Sequence, residues 1–264
     1  MPRPTLSACV LARDDARTLG ACLASLSFCD ECIVLLDARS RDASAAIAAA
    51  AGARVERHPY ADNVEQKNRC LEFAKGDWIV SLDADEALSP ELARELQQRI
   101  AGAGEALAGI EIDRLTWHLG RWIRHGDFHP DWQLRVFRRA AGRWQGIDPH
   151  GRVCVAGPVE RAQGACYHYS YADLADQIAR VRRFSSAQAR ALHARGQRFR
   201  LRDLLLRPPA RFLRAYLWRR GCLDGLPGLV IAAVTAFHVF AKYAGLWELE
   251  RGSGSRALRP PAPP

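Results

Sequence analysis

The first hundred residues change hydrophobic period repeatedly. LSACVL (6–11) is an unbroken apolar run of strand length, and Leu19, Cys22, Leu23 and Leu26 after it follow helical spacing. ECIVLLD (31–37) predicts a second strand, the alanine-rich SAAIAAAAG a helix closed by Gly52, and ARVER a third strand. VEQKNRCLEFAK (64–75) reads as a helix stopped by Gly76, and DWIVSL as the fourth strand. Ser89, Pro90 and Glu91 then supply an N-cap, a proline for the first helical position and an early acid ahead of LARELQQRI. Strands alternating with helices in this way predict an α/β fold, with a doubly wound, mostly parallel sheet covered on both faces.

In such sheets ligands bind outside the carboxyl ends of the strands. Those ends carry Arg13, Asp14 and Asp15 after the first strand, Asp37 after the second, and Asp83, Asp85 and Glu86 in SLDADEALSP after the fourth. Acids near a helix N-terminus are favoured by the helix dipole, which explains each cluster singly but not their convergence on one edge. The chain has no GxGxxG or Walker segment, so the glycine-rich phosphate cradles are absent. An acid-rich rim without such a cradle needs a cation to accept a diphosphate. In an extended segment residues i and i+2 point the same way, so Asp83 and Asp85 could share one Mg2+ or Mn2+.

Charge divides the chain. Its net +9 is made of −5 over residues 1–110 and +14 over 111–264, so the C-terminal half is expected to face an anionic partner. Nine arginines and one acid, Asp203, lie between Arg195 and Arg220, interleaved with leucines and aromatics. Nucleic-acid binding is one reading of such a patch. The next segment argues against it: residues 225–241, GLPGLVIAAVTAFHVFA, hold no Lys, Arg, Asp or Glu over 17 residues. With Pro227 and His238 inside, the run is marginal for a span of about 20 residues. An interfacial helix on an anionic membrane surface is preferred to a spanning or a buried one. The proline-rich end, within 251–264, reads as a disordered tail.

The opening residues lack the long apolar core of a secretory signal. The eight cysteines are scattered through apolar segments, as free thiols of a reducing cytosol would be. Cys29 and Cys32 have redox or zinc spacing but no second such pair, so packing is preferred. His118, His125, His129 and His150 share a segment with four tryptophans, and zinc binding there is not expected. One or two of those rings could face a sugar, and the rest are expected in the core.

ARDD after a strand, DARSRD, Gln66-Lys67-Asn68 and GDWIVSLDADE, followed by HGDFHPDWQLRVFRR, YHYSY and the closing GCLDGLPGLVIAAVTAFHVFAKYAGLWELE, together resemble the inverting glycosyltransferase family 2. Within that family the likeness is to bacterial lipopolysaccharide-core glycosyltransferases, over about residues 5–250. A lone DxD triplet is common; the ordered set of segments is specific.

The resemblance implies a GT-A-like fold with a helical, basic, membrane-associating C-terminal extension. Its expected parts are a nucleotide-sugar-binding half (1–110), an acceptor-side part of the same catalytic domain (111–170), the extension (171–250) and the tail. It implies donor contacts from Arg13, Asp15, Asp37, Lys67, Asp83 and Asp85, with Mg2+ or Mn2+ at Asp85 and Asp83. Asp131 would be the general base, unless it serves as a salt bridge to Arg135 or a turn cap after Pro130. Glu86, Arg135 and His150 would act on the acceptor side or in support. The implied reaction moves a sugar from a nucleotide-diphosphate donor to a lipopolysaccharide-core or related glycolipid acceptor. It would take place at the inner face of the cytoplasmic membrane, on a peripheral protein, without nucleic acid. A polyprenyl-phosphate acceptor and a catalytically impaired scaffold remain alternatives. Two segments depart from the family pattern. Asp37-Ala-Arg-Ser-Arg-Asp42 stands for Asp-Ser-Gly-Ser-Thr-Asp, its arginines contacting phosphate or turning to solvent, and His150-Gly151 stands for His-Glu.

Overall fold

A computed structural model describes residues 3–146 and 151–252, in two compact units. The first holds the described residues up to 116 together with 130–170, and the second holds 117–129 together with the described residues from 171 on. Residues 253–264, most of the expected tail, lie outside the described residues.

The first unit opens with the alternation that the periodicity predicts. It runs β1 (Leu6–Ala12), α1 (Leu19–Ser25), β2 (Glu31–Asp37), α2 (Ser44–Ala50), β3 (Arg54–His58), α3 (Asn63–Phe73) and β4 (Trp78–Asp83). It continues with β5 (Glu86–Leu88), α4 (Pro90–Ala101) and β6 (Gly109–His118), whose last two residues belong to the second unit, where β7 (Arg121–Ile123) pairs with β6. After these come β8 (Trp132–Arg138), β9 (Gly142–Gln145), β10 (Arg152–Val155) and β11 (Val159–His168). Asp62 and Ser89 cap α3 and α4 through their side chains, Ser89 as the sequence leads one to expect.

The sheet order is β3-β2-β1-β4-β8-β6-β11-β5, and β9 and β10 form a separate hairpin. β1 runs parallel to β2 and β4, and β3 parallel to β2. β8 enters antiparallel between β4 and β6, β11 is parallel to β6, and the three-residue β5 closes the far edge antiparallel. The result is an α/β fold on a mixed sheet. Alternate residues of the central strands feed two cores, as both-face burial requires. Ala8, Val10, Val34 and Leu36 pack with Leu19 and Cys22 of α1 and Leu92 and Leu96 of α4. Cys9, Ile33 and Leu35 pack on the other face with Cys70 of α3 and with Trp144 and Val153 of the hairpin.

Two irregularities shape the antiparallel half. On β8 the pairing with β6 steps from Leu134 to Val136, so Arg135 is the unpaired residue of a bulge, a device that re-aims a side chain. On β11, Arg161 pairs with Glu111 and Ala165 with Asp113, so β11 spends four residues where β6 spends two. Gly164 sits in that bulge at φ +101° against the backbone of Leu92. The shift sets the register in which His168 lies opposite Glu86.

The second unit is built from α5 (Leu174–Ala194), α6 (Leu201–Leu213), a π-helical turn (Arg214–Trp218), a 3-10 turn (Gly221–Asp224) and α7 (Gly225–Glu250). Pro208 and Pro209 lie inside α6, and the chain widens into the π turn just after them. Asp224 is fully buried. It accepts the backbone N–H groups of Arg124 (3.1 Å) and His125 (2.8 Å) and pairs with Arg121, tying 119–129 to the start of α7. By length and composition 221–250 could cross a membrane. One face of α7 is nevertheless packed: Gly245 meets Ala189 of α5, His238 bonds Gln188 (3.2 Å), and Arg207 of α6 lies over the Tyr243 ring.

A Cβ at Gly164 would stand 2.8 Å from the Leu92 nitrogen and 2.9 Å from its Cα, at a φ that L-residues avoid. Gly164→Ala is expected to cost about 2–4 kcal/mol and lower the thermal midpoint by several degrees. Gly196→Ala shares the positive φ, but nothing lies within 4 Å of its Cβ, so it should cost about 1 kcal/mol. Thermal denaturation of both checks the order.

Candidate active site

β1 is the switch point of the parallel half: the chain winds through β2 and β3 on one side of it and crosses to β4 on the other. The loops leaving β1 and β2 are laced together at that edge. Asp14, in the left-handed region at φ 55°, accepts the Arg41 N–H (2.8 Å) and donates its own N–H to Ser40 Oγ (3.1 Å). The Asp15 N–H reaches Ser44 Oγ (3.0 Å), and the Ala16 N–H reaches Asp42 Oδ2 (2.8 Å). Ser40, Asp42 and Ser44 thus hold ARDD in place from the neighbouring loop.

Arg39 is half exposed and also has a protein partner. It folds back on Asp37, the buried end of β2, through Nε to Oδ1 (3.1 Å) and Nη2 to Oδ2 (2.9 Å), while its backbone N–H also reaches Oδ1 (2.9 Å). Arg13 Nε stands 3.5 Å from Oδ2. The Arg39 hydrogen bonds hold the Asp37 carboxyl below its usual range.

Behind the rim six charged side chains of alternating sign form one chain. Lys67 Nζ of α3 is 2.7 Å from Asp83 Oδ1, and Arg135 Nη2 bridges Asp83 Oδ2 (2.8 Å) and Glu86 Oε1 (2.9 Å). Arg114 of β6 joins Glu86 Oε1 (2.9 Å) to Asp131 Oδ2 (2.6 Å). Lys67 and Arg135 both lie over the Trp144 ring, at 4.0 and 5.2 Å. Burial alone would raise the Asp83 and Glu86 carboxyls, but their cationic partners outweigh it and hold both below the ordinary range. Burial, with Arg135 nearby, lowers the Lys67 ammonium. Asp131 is tied to Arg114, not to Arg135, because the bulge turns Arg135 toward Asp83 and Glu86. Asp131 Oδ1 accepts from Gln133 Nε2 (2.6 Å).

Asp85 is differently placed. Ala84 and Asp85 form a turn, so the extended-chain premise for aiming Asp83 and Asp85 alike does not hold there. Asp83 spends both oxygens on Lys67 and Arg135, whereas Asp85 Oδ2 faces His168 Nε2 at 3.6 Å and pairs with no lysine or arginine among the described residues. The Asp85 carbonyl accepts the Tyr169 N–H (2.8 Å), which keeps the turn beside β11. A carboxylate and an imidazole suit a divalent ion that completes its shell from ligand oxygens. Among the described residues no group of three or more His, Cys, Asp or Glu side chains is placed to hold an ion unaided.

The structure therefore gathers Arg13, Asp15, Asp37, Lys67, Asp83, Asp85, Glu86, Asp131 and Arg135 of the expected set in the first unit. His150 lies outside the described residues. Sequence reasoning missed Arg114 and His168. Their signals were a lone arginine in the apolar strand IEIDRLTW and the histidine in YHYSY. Burial pushes the Cys29 thiol far up and Cys32 to about 12, which suits packing and not redox chemistry.

The family model described as Glycosyl transferase family 2 matches residues 7–162. The lipopolysaccharide core biosynthesis glycosyltransferase LpsC of Rhizobium meliloti (strain 1021) is 30% identical over 263 residues, covering 92% of this chain and 95% of that one. An uncharacterized glycosyltransferase of Rickettsia felis is 25% identical over 260 residues, covering 92% and 89%. Among solved structures, glucosyl-3-phosphoglycerate synthase from Mycobacterium tuberculosis, in complex with Mn2+, UDP and glucosyl-3-phosphoglycerate, is 25% identical with a TM-score of 0.37. That likeness covers 43% of this chain and 44% of that one.

Asp15 carries the clearest pH signature at the rim. Burial pushes its carboxyl from 3.8 up to about 6, with Asp85, Asp42 and Asp83 adding to the rise and the Arg13 N–H opposing it. The folded chain thus holds a proton there that the unfolded chain releases earlier, and stability falls as pH rises from about 4 through about 6. Asp15→Asn keeps an oxygen for the Arg13 N–H and removes the charge. Its thermal midpoint should exceed that of the wild type at pH 8, with the gap closing at pH 4; an equal gap at both pH values contradicts the burial argument.

Proposed function

The chain belongs to glycosyl transferase family 2, and from that premise we propose that it moves a sugar from a nucleotide-diphosphate donor to a lipopolysaccharide-core or related glycolipid acceptor, with inversion. The observation that carries this reading is the juxtaposition at adjacent strand ends of Asp15, Asp37 and Asp83, with Asp85 left unpaired by any lysine or arginine among the described residues. The nucleoside lies toward Asp15 and Asp37, and the diphosphate toward Asp85. Asp85 and His168 would hold Mg2+ or Mn2+, and Asp83, with one cationic partner on each oxygen, would offer a remaining lone pair to the same ion. When bound, such an ion supplies Lewis-acid stabilisation of the departing diphosphate.

Asp131 is the proposed base. Arg114 fixes its Oδ2, which leaves a lone pair on Oδ1, beside Gln133, to take the proton of the acceptor hydroxyl. Arg114 also bonds Glu86, so the base is positioned by the same charge chain that fixes Asp83. The full resemblance to the Rhizobium relative supports a lipopolysaccharide-type acceptor.

The second unit supports a peripheral site of action on an anionic membrane, at the inner face of the cytoplasmic membrane. Leu201, Leu205 and Leu213 recur on one face of α6, Leu217 follows, and Trp218 is 85% exposed. On α7, Leu226, Leu229, Phe237, Phe240 and Trp247 are exposed opposite the face packed on α5 and α6. Exposed Arg202, Arg207, Arg214, Arg219 and Arg220 flank these side chains. A spanning α7 would carry its packed neighbour α5, with Arg180, Arg182, Arg183 and Arg190, into hydrocarbon at about 2.5–3.5 kcal/mol for each arginine at the centre. An in-plane helix avoids that cost, with arginines at the headgroups and leucines below them.

A screen of nucleotide sugars for diphosphate release, with purified protein and Mn2+, tests the reaction. Asp85→Ala is expected to abolish transfer while leaving the thermal midpoint nearly unchanged; a lost fold with transfer retained assigns Asp85 to structure. For the surface, Leu217→Ser with Trp218→Ser should weaken binding to anionic phospholipid vesicles by about tenfold or more without destabilising the fold. Co-sedimentation against zwitterionic vesicles measures the difference.

A further inference from the structure

Asp37 has spent most of its acceptor capacity. A carboxylate offers about four lone-pair sites. Three are taken by the Arg39 N–H, Nε and Nη2, and Arg13 Nε stands 3.5 Å from Oδ2 as an ion pair. The carboxylate is 3% exposed, while the Arg13 and Arg39 side chains are 52% and 56% exposed. What the end of β2 offers to a ligand is therefore a pair of guanidinium donors, not a free carboxylate.

The planar fork of Arg39 defines what it can hold. Its Nε–Nη2 edge is committed to Asp37, and the Nη1–Nη2 edge makes no hydrogen bond among the described residues. The Tyr60 ring lies 5.6 Å from the guanidinium carbon and steadies its plane. A rigid guanidinium with one edge anchored can grip two adjacent acceptors with the other. Guanine presents such a pair in O6 and N7, and cytosine presents one in O2 and N3. Uracil does not, because its two carbonyls are separated by an imide N–H that asks for an acceptor. Adenine sets an amino donor beside N7.

We infer that Arg39, anchored on Asp37 with its outer fork free, makes the rim select a nucleobase with two adjacent acceptors, guanine or cytosine, over uracil. This rests on the proposed placement of the nucleoside at Asp15 and Asp37. Arg39 is then a specificity determinant, and DARSRD converts an acceptor at the strand end into a donor.

Calorimetric titration of the full chain with GDP, CDP, UDP and ADP, in the presence of Mn2+, tests the inference. GDP or CDP should bind about tenfold more tightly than UDP, the scale of one bidentate contact. Arg39→Ala should weaken that nucleotide by about the same factor and tighten UDP, because Asp37 is freed to accept the imide N–H. Arg39→Lys, which keeps the charge and loses the fork, should lose the discrimination while retaining the wild-type thermal midpoint. Tightest binding of UDP by the wild type, or a ranking unchanged in Arg39→Ala or Arg39→Lys, overturns the inference and leaves the proposed function standing. No binding of any of the four nucleotides overturns both.

Discussion

Lys67, Asp83, Arg135, Glu86, Arg114 and Asp131 alternate in sign through the interior of the first unit, each within hydrogen-bonding distance of the next. Each of these ions costs several kcal/mol to remove from water, and that cost is offset only when every neighbour is of opposite charge and well placed. Three acids and three bases alternate in this way, and Arg135 reaches both of its acids through Nη2 alone, its buried Nε and Nη1 making no hydrogen bond among the described residues. The chain ties α3, the end of β4, β5, the β8 bulge and β6 to one another, so the pairing fixes how these elements meet. It also answers why Asp83 and Glu86 can lie so close together. Arg135 sits between them, and the Trp144 face beneath Lys67 and Arg135 supports the cations that the acids require.

With Asp83 and Glu86 paired to cations, the turn between them carries the acid of the cluster that has no lysine or arginine partner among the described residues. Asp85 sits on that turn beside His168, at an edge where the loops from β1 and β2 are already cross-bonded by Ser40, Asp42 and Ser44. Rigidity behind and a carboxylate without a lysine or arginine partner in front suit the proposed diphosphate site, where a cation would join the two anions, because preorganised charge acts without reorganising at the moment of reaction. Asp15 adds a partly buried acid whose ionisation is opposed by burial and by three other carboxylates.

The second unit follows another logic. Its buried polar anchor, Asp224, organises the loop before it and the start of α7, while large apolar side chains remain exposed along α6, the π turn and α7. Such side chains, concentrated and flanked by arginines, suit a partner that is apolar below and anionic above.

Much of this was legible in the chain itself. The periodicity of 6–100 located β1 to β4 and α1 to α4, the Ser89–Pro90 pair marked the start of α4, and the acids at three strand ends marked the rim. Those features depend on contacts a few residues apart, which spacing and capping report directly. The three-residue β5, the partner of Asp131 and the placement of Arg114 and His168 were not legible. Each depends on a register shift or on a pairing between distant segments: the β8 bulge aims Arg135, the β11 bulge brings His168 to Glu86, and β6 carries Arg114 to Asp131. The sequence determined which strands and helices form and which edge gathers acids, because local propensity and hydrophobic period suffice for that. Only the tertiary structure decided which acids are neutralised and which stay available, because the partner of a buried charge is chosen by desolvation and distance in three dimensions.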